Sequence, residues 1–142
     1  MEPQVILFPS VAMFLLTFGV IVRMGLARYL AIQSGAVSIK FFRTYDEGEQ
    51  PARLHLLSRH VQNHFEVPPL FHLGVIMAFV VGAVSLASVA FAWLFFGVRC
   101  FHTYIHLGSN DVSVRFFTFG TSLAALAGLW GCVLFELFQQ TA

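Results

Sequence analysis

The sequence predicts an all-α membrane protein, a bundle of four transmembrane helices, and composition and patterning both point to this class. Of the 142 residues, 58% are hydrophobic and only 11% are charged, and the mean hydropathy is +0.78. A soluble domain normally carries about 25% charged residues, so this chain lacks the polar side chains that would cover its surface in water. The apolar residues fall into four long runs, which favours lipid as the solvent.

The four runs predict four helices in one domain, residues 1–142. The first extends from about residue 5 to 32, long enough to cross roughly 30 Å of hydrocarbon with some tilt. A polar segment ending near Arg59 separates it from the second helix, which we place at about 60–89. The third follows at about 90–107, after a tight turn of small residues. The turn GSND precedes the last helix, at about 114–138.

The basic residues predict the orientation of this bundle in the membrane. In a four-helix topology every Lys and Arg maps to the side that holds the first and third loops. These residues are Arg23, Arg28, Lys40, Arg43, Arg53, Arg59, Arg99 and Arg115. By the positive-inside rule that side is cytoplasmic, and both termini face away from it. The net charge of +1 argues against a nucleic acid partner, which requires clustered cations.

Polar residues occur at helical spacing near the cytoplasmic ends of two predicted helices. Arg59, Asn63 and Glu66 are separated by four and then three residues, so they share one helical face. In the third predicted helix, Arg99, His102 and His106 form a second stripe with steps of three and four.

A third polar position and a proline pair complete this pattern. Arg115 opens the fourth predicted helix, and Pro68 and Pro69 predict a kink just past Glu66. Ionisable groups at membrane depth are costly unless they are paired or line a wet cavity. We therefore predict a pocket with an excess of cations, which suits an anionic small molecule held by guanidinium groups. The alternative for any single residue is a structural ion pair near the headgroups.

Two segments resemble a known family. The segment RHVQNHFEVPPLFHLG is similar to the second-helix signature of the MAPEG family, the membrane-associated proteins in eicosanoid and glutathione metabolism, and LFHLG looks closest to the bacterial branch. The matching positions are Arg59, Asn63, Glu66, Pro69 and Phe71. The segment RCFHTYIHLGSNDVSVRFFTF resembles the family's third helix, the following loop and the start of the fourth helix. Its matching positions are Arg99, His102 and Arg115.

The resemblance implies a homotrimer in the bacterial inner membrane, with glutathione bound between neighbouring subunits and open to the cytoplasm. Arg59, Asn63 and Glu66 would hold the charged ends of the tripeptide. Arg99 and His102 would support it from the third helix. Arg115 would lie near the thiol and favour the nucleophilic thiolate. The first-helix arginine of the family corresponds to Arg28, in preference to Arg23. The implied activity is a glutathione transferase or peroxidase that acts on a hydrophobic small molecule.

Four departures from the family pattern affect the chemistry more than the binding. Gln62 stands where glutathione-using members often have a second arginine, and His106 stands where some have a tyrosine. Phe116 and Phe119 replace a serine and a tyrosine that would polarise a thiol. His106 would serve as a donor or general base in place of the phenol. The alternative function is a catalytically silent subunit or accessory protein of a larger membrane complex.

Histidine spacing supports a different class of site, a metal centre. His60 and His64 form an HxxxH pair, and so do His102 and His106, a spacing that can place two imidazoles on one metal ion. We nevertheless predict no metal among the site residues, because the chain lacks an HxxHH box. Bis-histidine haem ligation through His72 and His102 is a further alternative. For His72 we expect instead a backbone carbonyl as partner.

Overall fold

The protein is helical throughout the part of the chain that the computed structural model describes, residues 2–45 and 49–142. A 3₁₀ turn at Pro3–Ile6 leads into the first helix. The helices are α1 Leu7–Gln33, α2 Phe41–Thr44, α3 Ala52–Glu66, α4 Pro68–Val80, α5 Leu86–Leu107 and α6 Val112–Thr141. Three segments are long and apolar enough to cross a membrane, namely Pro3–Gln33, Leu86–Leu107 and Val112–Thr141. The all-α prediction is confirmed.

The outward faces of the long helices are apolar, as expected for a surface that contacts lipid. On α1, Leu26 and Leu30 are 59% and 63% exposed, and on α6 Phe135 and Phe138 are 64% and 72% exposed. Exposed apolar area on this scale exceeds the patches that soluble monomers tolerate. The chain is therefore built as an integral membrane protein.

Two apolar clusters form the interior, and α3 connects them. The larger cluster joins α4, α5 and α6 and includes Phe71 and Phe95, whose rings stack with centroids 4.3 Å apart. The smaller cluster joins α1, α2 and α3 and includes Leu54 and Leu57. Between these clusters the buried positions of α3 are histidines, which places a polar layer inside the protein.

The second helix starts earlier than residue 60 and is broken in its middle. Helix α3 begins at Ala52, because Leu54 and Leu57 continue its buried stripe back through a segment rich in charge. It ends at Glu66, and α4 begins at Pro68. Pro68 and the following proline have no N–H to donate to the preceding turn, which explains the break.

The boundary at residues 89 and 90 between the second and third predicted helices is wrong. Helix α4 ends at Val80, and Gly82 adopts φ +77° in the turn that follows. The Ala83 N–H donates to the Ala78 carbonyl at 2.8 Å, as in a Schellman motif. Ser85 then caps α5: its hydroxyl oxygen accepts from the Ser88 N–H at 3.2 Å, while the Ser88 hydroxyl oxygen accepts from the Ser85 N–H at 2.8 Å.

The last helix is longer than the predicted 114–138. Asp111 accepts a hydrogen bond from the Val114 N–H at 3.0 Å, so α6 starts at Val112, and it continues to Thr141. The first helix extends one residue past the predicted end, to Gln33.

Close packing of α5 on α6 depends on a glycine. A Cβ at Gly128 would lie 2.5 Å from the ring of Phe91, whereas a Cβ at Gly131 would meet nothing within 4 Å. We expect Gly128→Ala to lower the free energy of unfolding by about 1–3 kcal/mol through overpacking. Gly131→Ala is the matched control. It should leave the free energy of unfolding unchanged or raise it by about 1 kcal/mol, because alanine favours the helix. Thermal unfolding in detergent measures both, and equal effects of the two variants would contradict the packing argument.

Candidate functional site

Four buried imidazoles form a layer between α3 and α5. His60 and His106 are fully buried, and His64 and His102 are 3% exposed. The Nδ1 atoms of His60 and His106 are 3.1 Å apart, and the Nε2 atoms of His60 and His64 are 3.2 Å apart. The two HxxxH pairs of the sequence therefore meet where α3 packs on α5, and His60 contacts both His64 and His106.

Threonine hydroxyls from three helices hold these rings. Thr17 of α1 lies 2.9 Å from His64 Nδ1, and Thr103 of α5 lies 3.1 Å from His60 Nε2. Thr118 of α6 lies 3.0 Å from His102 Nδ1. Polar side chains inside a membrane bundle need such partners. The histidine layer thus ties α1, α3, α5 and α6 together.

Arg99 lies inside the protein, 1% exposed. Its guanidinium carbon is 5.4 Å from the centre of the Phe95 ring and 5.3 Å from that of Phe119. These aromatic faces stabilise the cation, and the carboxylate of Glu66 adds an attractive Coulomb interaction. Within residues 2–45 and 49–142, the Nε and Nη2 atoms nevertheless have no hydrogen-bond partner. Arg99 is therefore a buried cation with donors still free.

A cavity of about 290 Å³ lies beside this layer, between α3, α5 and α6. The residues that line it are Asn63, His102, Val112, Arg115, Phe116 and Phe119. Arg115 Nη1 donates to Asn110 Oδ1 at 2.6 Å, while its Nε atom is buried without a partner in the described part of the chain. Three residues predicted from the sequence, Asn63, His102 and Arg115, thus come together from three helices.

A second cavity, of about 780 Å³, brings the first-helix arginine to α3. Arg28 and Arg59 both line it, together with Gln62. The Arg28 guanidinium lies 5.3 Å from the centre of the Phe42 ring. Arg23 lines a different cavity, of about 570 Å³, between α1, α3 and the end of α5.

The structure does not enclose every predicted site residue. Arg59 and Glu66 are exposed on α3, with Asn63 half-buried between them. This polar stripe therefore lies open on one side of the single chain. His106 lies in the histidine layer and does not line the cavity that holds Arg115. Its Nε2 atom has no hydrogen-bond partner among the described residues.

Sequence reasoning missed how the histidines and threonines interact. Spacing identified the two HxxxH pairs, but it could not show that His60 meets His106 or which hydroxyls approach the rings. The prediction for His72 is wrong, because its Nδ1 atom lies 2.6 Å from the hydroxyl of Ser10 and not against a carbonyl.

Comparison with known proteins gives one match. The model of the MAPEG family matches residues 6–135, which is most of the chain. No curated protein and no solved structure matches the chain. The matched range includes every residue of the histidine layer and of the cavity beside Arg115.

Proposed function

Because the chain belongs to the MAPEG family, we propose that it is an integral membrane protein that binds glutathione from the cytoplasmic side. The observation that carries this proposal is the cavity that joins Asn63, His102 and Arg115. Glutathione is a peptide with two carboxylates, an amino group and a thiol. A guanidinium, an amide and an imidazole around one hollow offer hydrogen bonds and positive charge to such a ligand.

The polar stripe on α3 supplies the remaining contacts in this proposal. Arg59 would bind a carboxylate of glutathione, Glu66 its amino group, and Asn63 the backbone between them. Within the stripe, Asn63 lines the cavity beside Arg115 and Arg59 lines the cavity that holds Arg28. Arg99 and His102 would support the ligand from inside, and Arg28 would add charge from α1.

A neighbouring copy of the chain would close the open side of this stripe. The proposed assembly is the homotrimer that the family resemblance implies, with the α3 stripe at the boundary between two subunits. We further propose that α3 and α4 together cross the membrane as the second of four transmembrane segments in chain order. The first and third loops would then lie on the cytoplasmic side of a bacterial inner membrane. The charge distribution supports this orientation, because the basic residues lie on that side.

The proposed chemistry is transfer of glutathione to a hydrophobic electrophile, or reduction of a hydroperoxide by it. Arg115 would stabilise the thiolate from the end of the cavity that Phe116 and Phe119 line. His106 is the second catalytic candidate, and its free Nε2 atom is the feature that supports it.

The second candidate function is glutathione binding without catalysis, in a silent subunit of a larger membrane complex. The residues that line the cavity beside Arg115 favour it, because none of them carries a hydroxyl. Titration calorimetry of the detergent-purified chain with glutathione tests binding, and ultraviolet thiolate absorbance near neutral pH tests activation. Binding with thiolate supports a transferase, and binding without it supports the silent subunit. No saturable binding overturns both.

Restoring a hydroxyl beside Arg115 should increase activation of the thiol. We expect Phe116→Ser to raise the fraction of bound glutathione in the thiolate form, because a hydroxyl donor stabilises the anion. Phe117→Ser is the matched control: Phe117 is 71% exposed and does not line this cavity. Thiolate absorbance of the two variants at saturating glutathione measures the effect. An equal rise in both would contradict the placement of the thiol next to Arg115.

A further inference from the structure

The histidine layer has the geometry of a metal site. The glutathione proposal uses His102 and His106 but requires no metal ion. We propose that His60, His102 and His106 bind one divalent first-row transition metal ion such as Zn²⁺, with a fourth coordination position left open. Imidazole is a ligand suited to zinc, copper, iron and nickel. Three imidazoles with one open position are the pattern of catalytic zinc sites, whereas structural sites use four protein ligands.

The positions of the ring nitrogens support this proposal first. One ring nitrogen from each of the three residues lies within 4.8 Å of the others. The closest pair, the Nδ1 atoms of His60 and His106, is 3.1 Å apart. Nitrogens bound at 2.0–2.1 Å to a tetrahedral Zn²⁺ are about 3.3–3.4 Å apart. Small rotations of buried rings would therefore convert this contact into shared coordination.

Free buried nitrogens support the proposal next. The Nε2 atoms of His102 and His106 are buried and have no hydrogen-bond partner among the residues that the structure describes. His102 is 3% exposed and lines the cavity beside Arg115, and His106 is fully buried. Buried polar atoms are normally satisfied, and one without a partner calls for an explanation. An ion held between the rings would satisfy His102 Nε2 directly.

The outer contacts of the rings also match those of metal ligands. A ligating histidine usually bonds its other ring nitrogen to a neighbouring polar group, which fixes the tautomer and the ring orientation. His102 makes this contact with Thr118 at 3.0 Å, and His60 makes it with Thr103 at 3.1 Å. His64 lies behind His60, with its own Nδ1 atom 2.9 Å from Thr17. The three proposed ligands are thus surrounded by polar side chains that fix the orientation of their rings.

The charged residues near the proposed metal ion affect which ligand would fill its fourth coordination position. The positive charge of Arg99 acts on His60 and His102 and would repel a dication. Glu66 offsets part of that charge. A hydroxide on the metal ion would offset more of it, because the three imidazole ligands are neutral. Hydroxide on Zn²⁺ forms readily near neutral pH, since the metal acidifies its bound water.

Metal titration of the full chain tests the proposal. The protein is purified in detergent without a histidine tag, stripped with a chelator, and titrated with Zn²⁺ and with Co²⁺. We expect saturation at one ion per chain, with the visible absorption that tetrahedral Co²⁺ shows. His60→Ala and His106→Ala should each abolish this binding. His55→Ala, an exposed histidine on the same helix α3, is the matched control and should bind as the parent does.

A substitution outside the ligand set guards against loss of folding in the alanine variants. Thr118→Val keeps the shape of the side chain and removes the hydroxyl that faces His102, so we expect about 10- to 100-fold weaker metal affinity. No saturable metal uptake by the parent, or uptake retained in both His60→Ala and His106→Ala, would overturn the proposal. Because His102 belongs to both proposed sites, glutathione binding is measured separately on the metal-free chain, so that failure of one proposal is distinguished from failure of the other.

Discussion

Arg59→Ala and Glu66→Ala should each weaken glutathione binding by roughly 2–4 kcal/mol, or about 30- to 1,000-fold in Kd. The physical reason is that each substitution leaves a charged group of the ligand without its partner, in a site that a neighbouring subunit covers in the proposed homotrimer. Titration calorimetry of the detergent-purified variants measures the change directly.

Another arginine of the same helix provides the control for this prediction. Arg53 is exposed on α3 and lines the cavity that holds Arg23, away from the polar stripe. We expect Arg53→Ala to bind glutathione as the parent does. Parental affinity in both Arg59→Ala and Glu66→Ala would place the ligand elsewhere.

Phe71→Ala should produce a large loss of stability. Phe71 is fully buried, and its ring stacks on Phe95 with centroids 4.3 Å apart and planes inclined by 10°. Phe→Ala in a packed core costs about 3–5 kcal/mol, part of which is transfer from water. In lipid or detergent the unfolded chain is still in apolar surroundings, so the contribution from transfer out of water is smaller. We therefore expect Phe71→Ala to lower the free energy of unfolding by about 2 kcal/mol, through the cavity and the lost contacts.

The matched control for this prediction is a phenylalanine on the outer surface. Phe101 of α5 is 51% exposed, so Phe101→Ala should leave the unfolding temperature nearly unchanged. Thermal unfolding in the same detergent compares the two variants. A loss of stability in Phe101→Ala as large as that in Phe71→Ala would show that the core does not depend on the aromatic stack.

Composition and hydrophobic runs were sufficient to predict the helical class, but not where the helices begin and end. The start of α3 at Ala52 was missed because Arg53 and Arg59 made that segment resemble a loop, while its buried leucines follow helical spacing. The turn after Val80 was missed because its signals are local. Gly82 requires positive φ, and Ser85 caps through another serine where a capping box more often has glutamate.

For the candidate site, spacing within a helix was informative and contact between helices was not. Helix α3 spans Arg59 to Glu66 without a break, so the steps of four and three lie within one helix. The same reasoning could not show that this face lies open in the single chain. Nor could it reveal the approach of His60 to His106, which are 46 positions apart in the sequence. Such contacts depend on how helices pack, and side-chain periodicity along one helix does not determine that.

The structure of the detergent-purified assembly with glutathione tests the central claim most directly. The account predicts one glutathione at each boundary between two copies of the chain, in contact with Arg59 and Asn63 and with its thiol beside Arg115. A ligand bound away from these residues would contradict it. So would an assembly in which the α3 stripe faces water or lipid and no ligand binds.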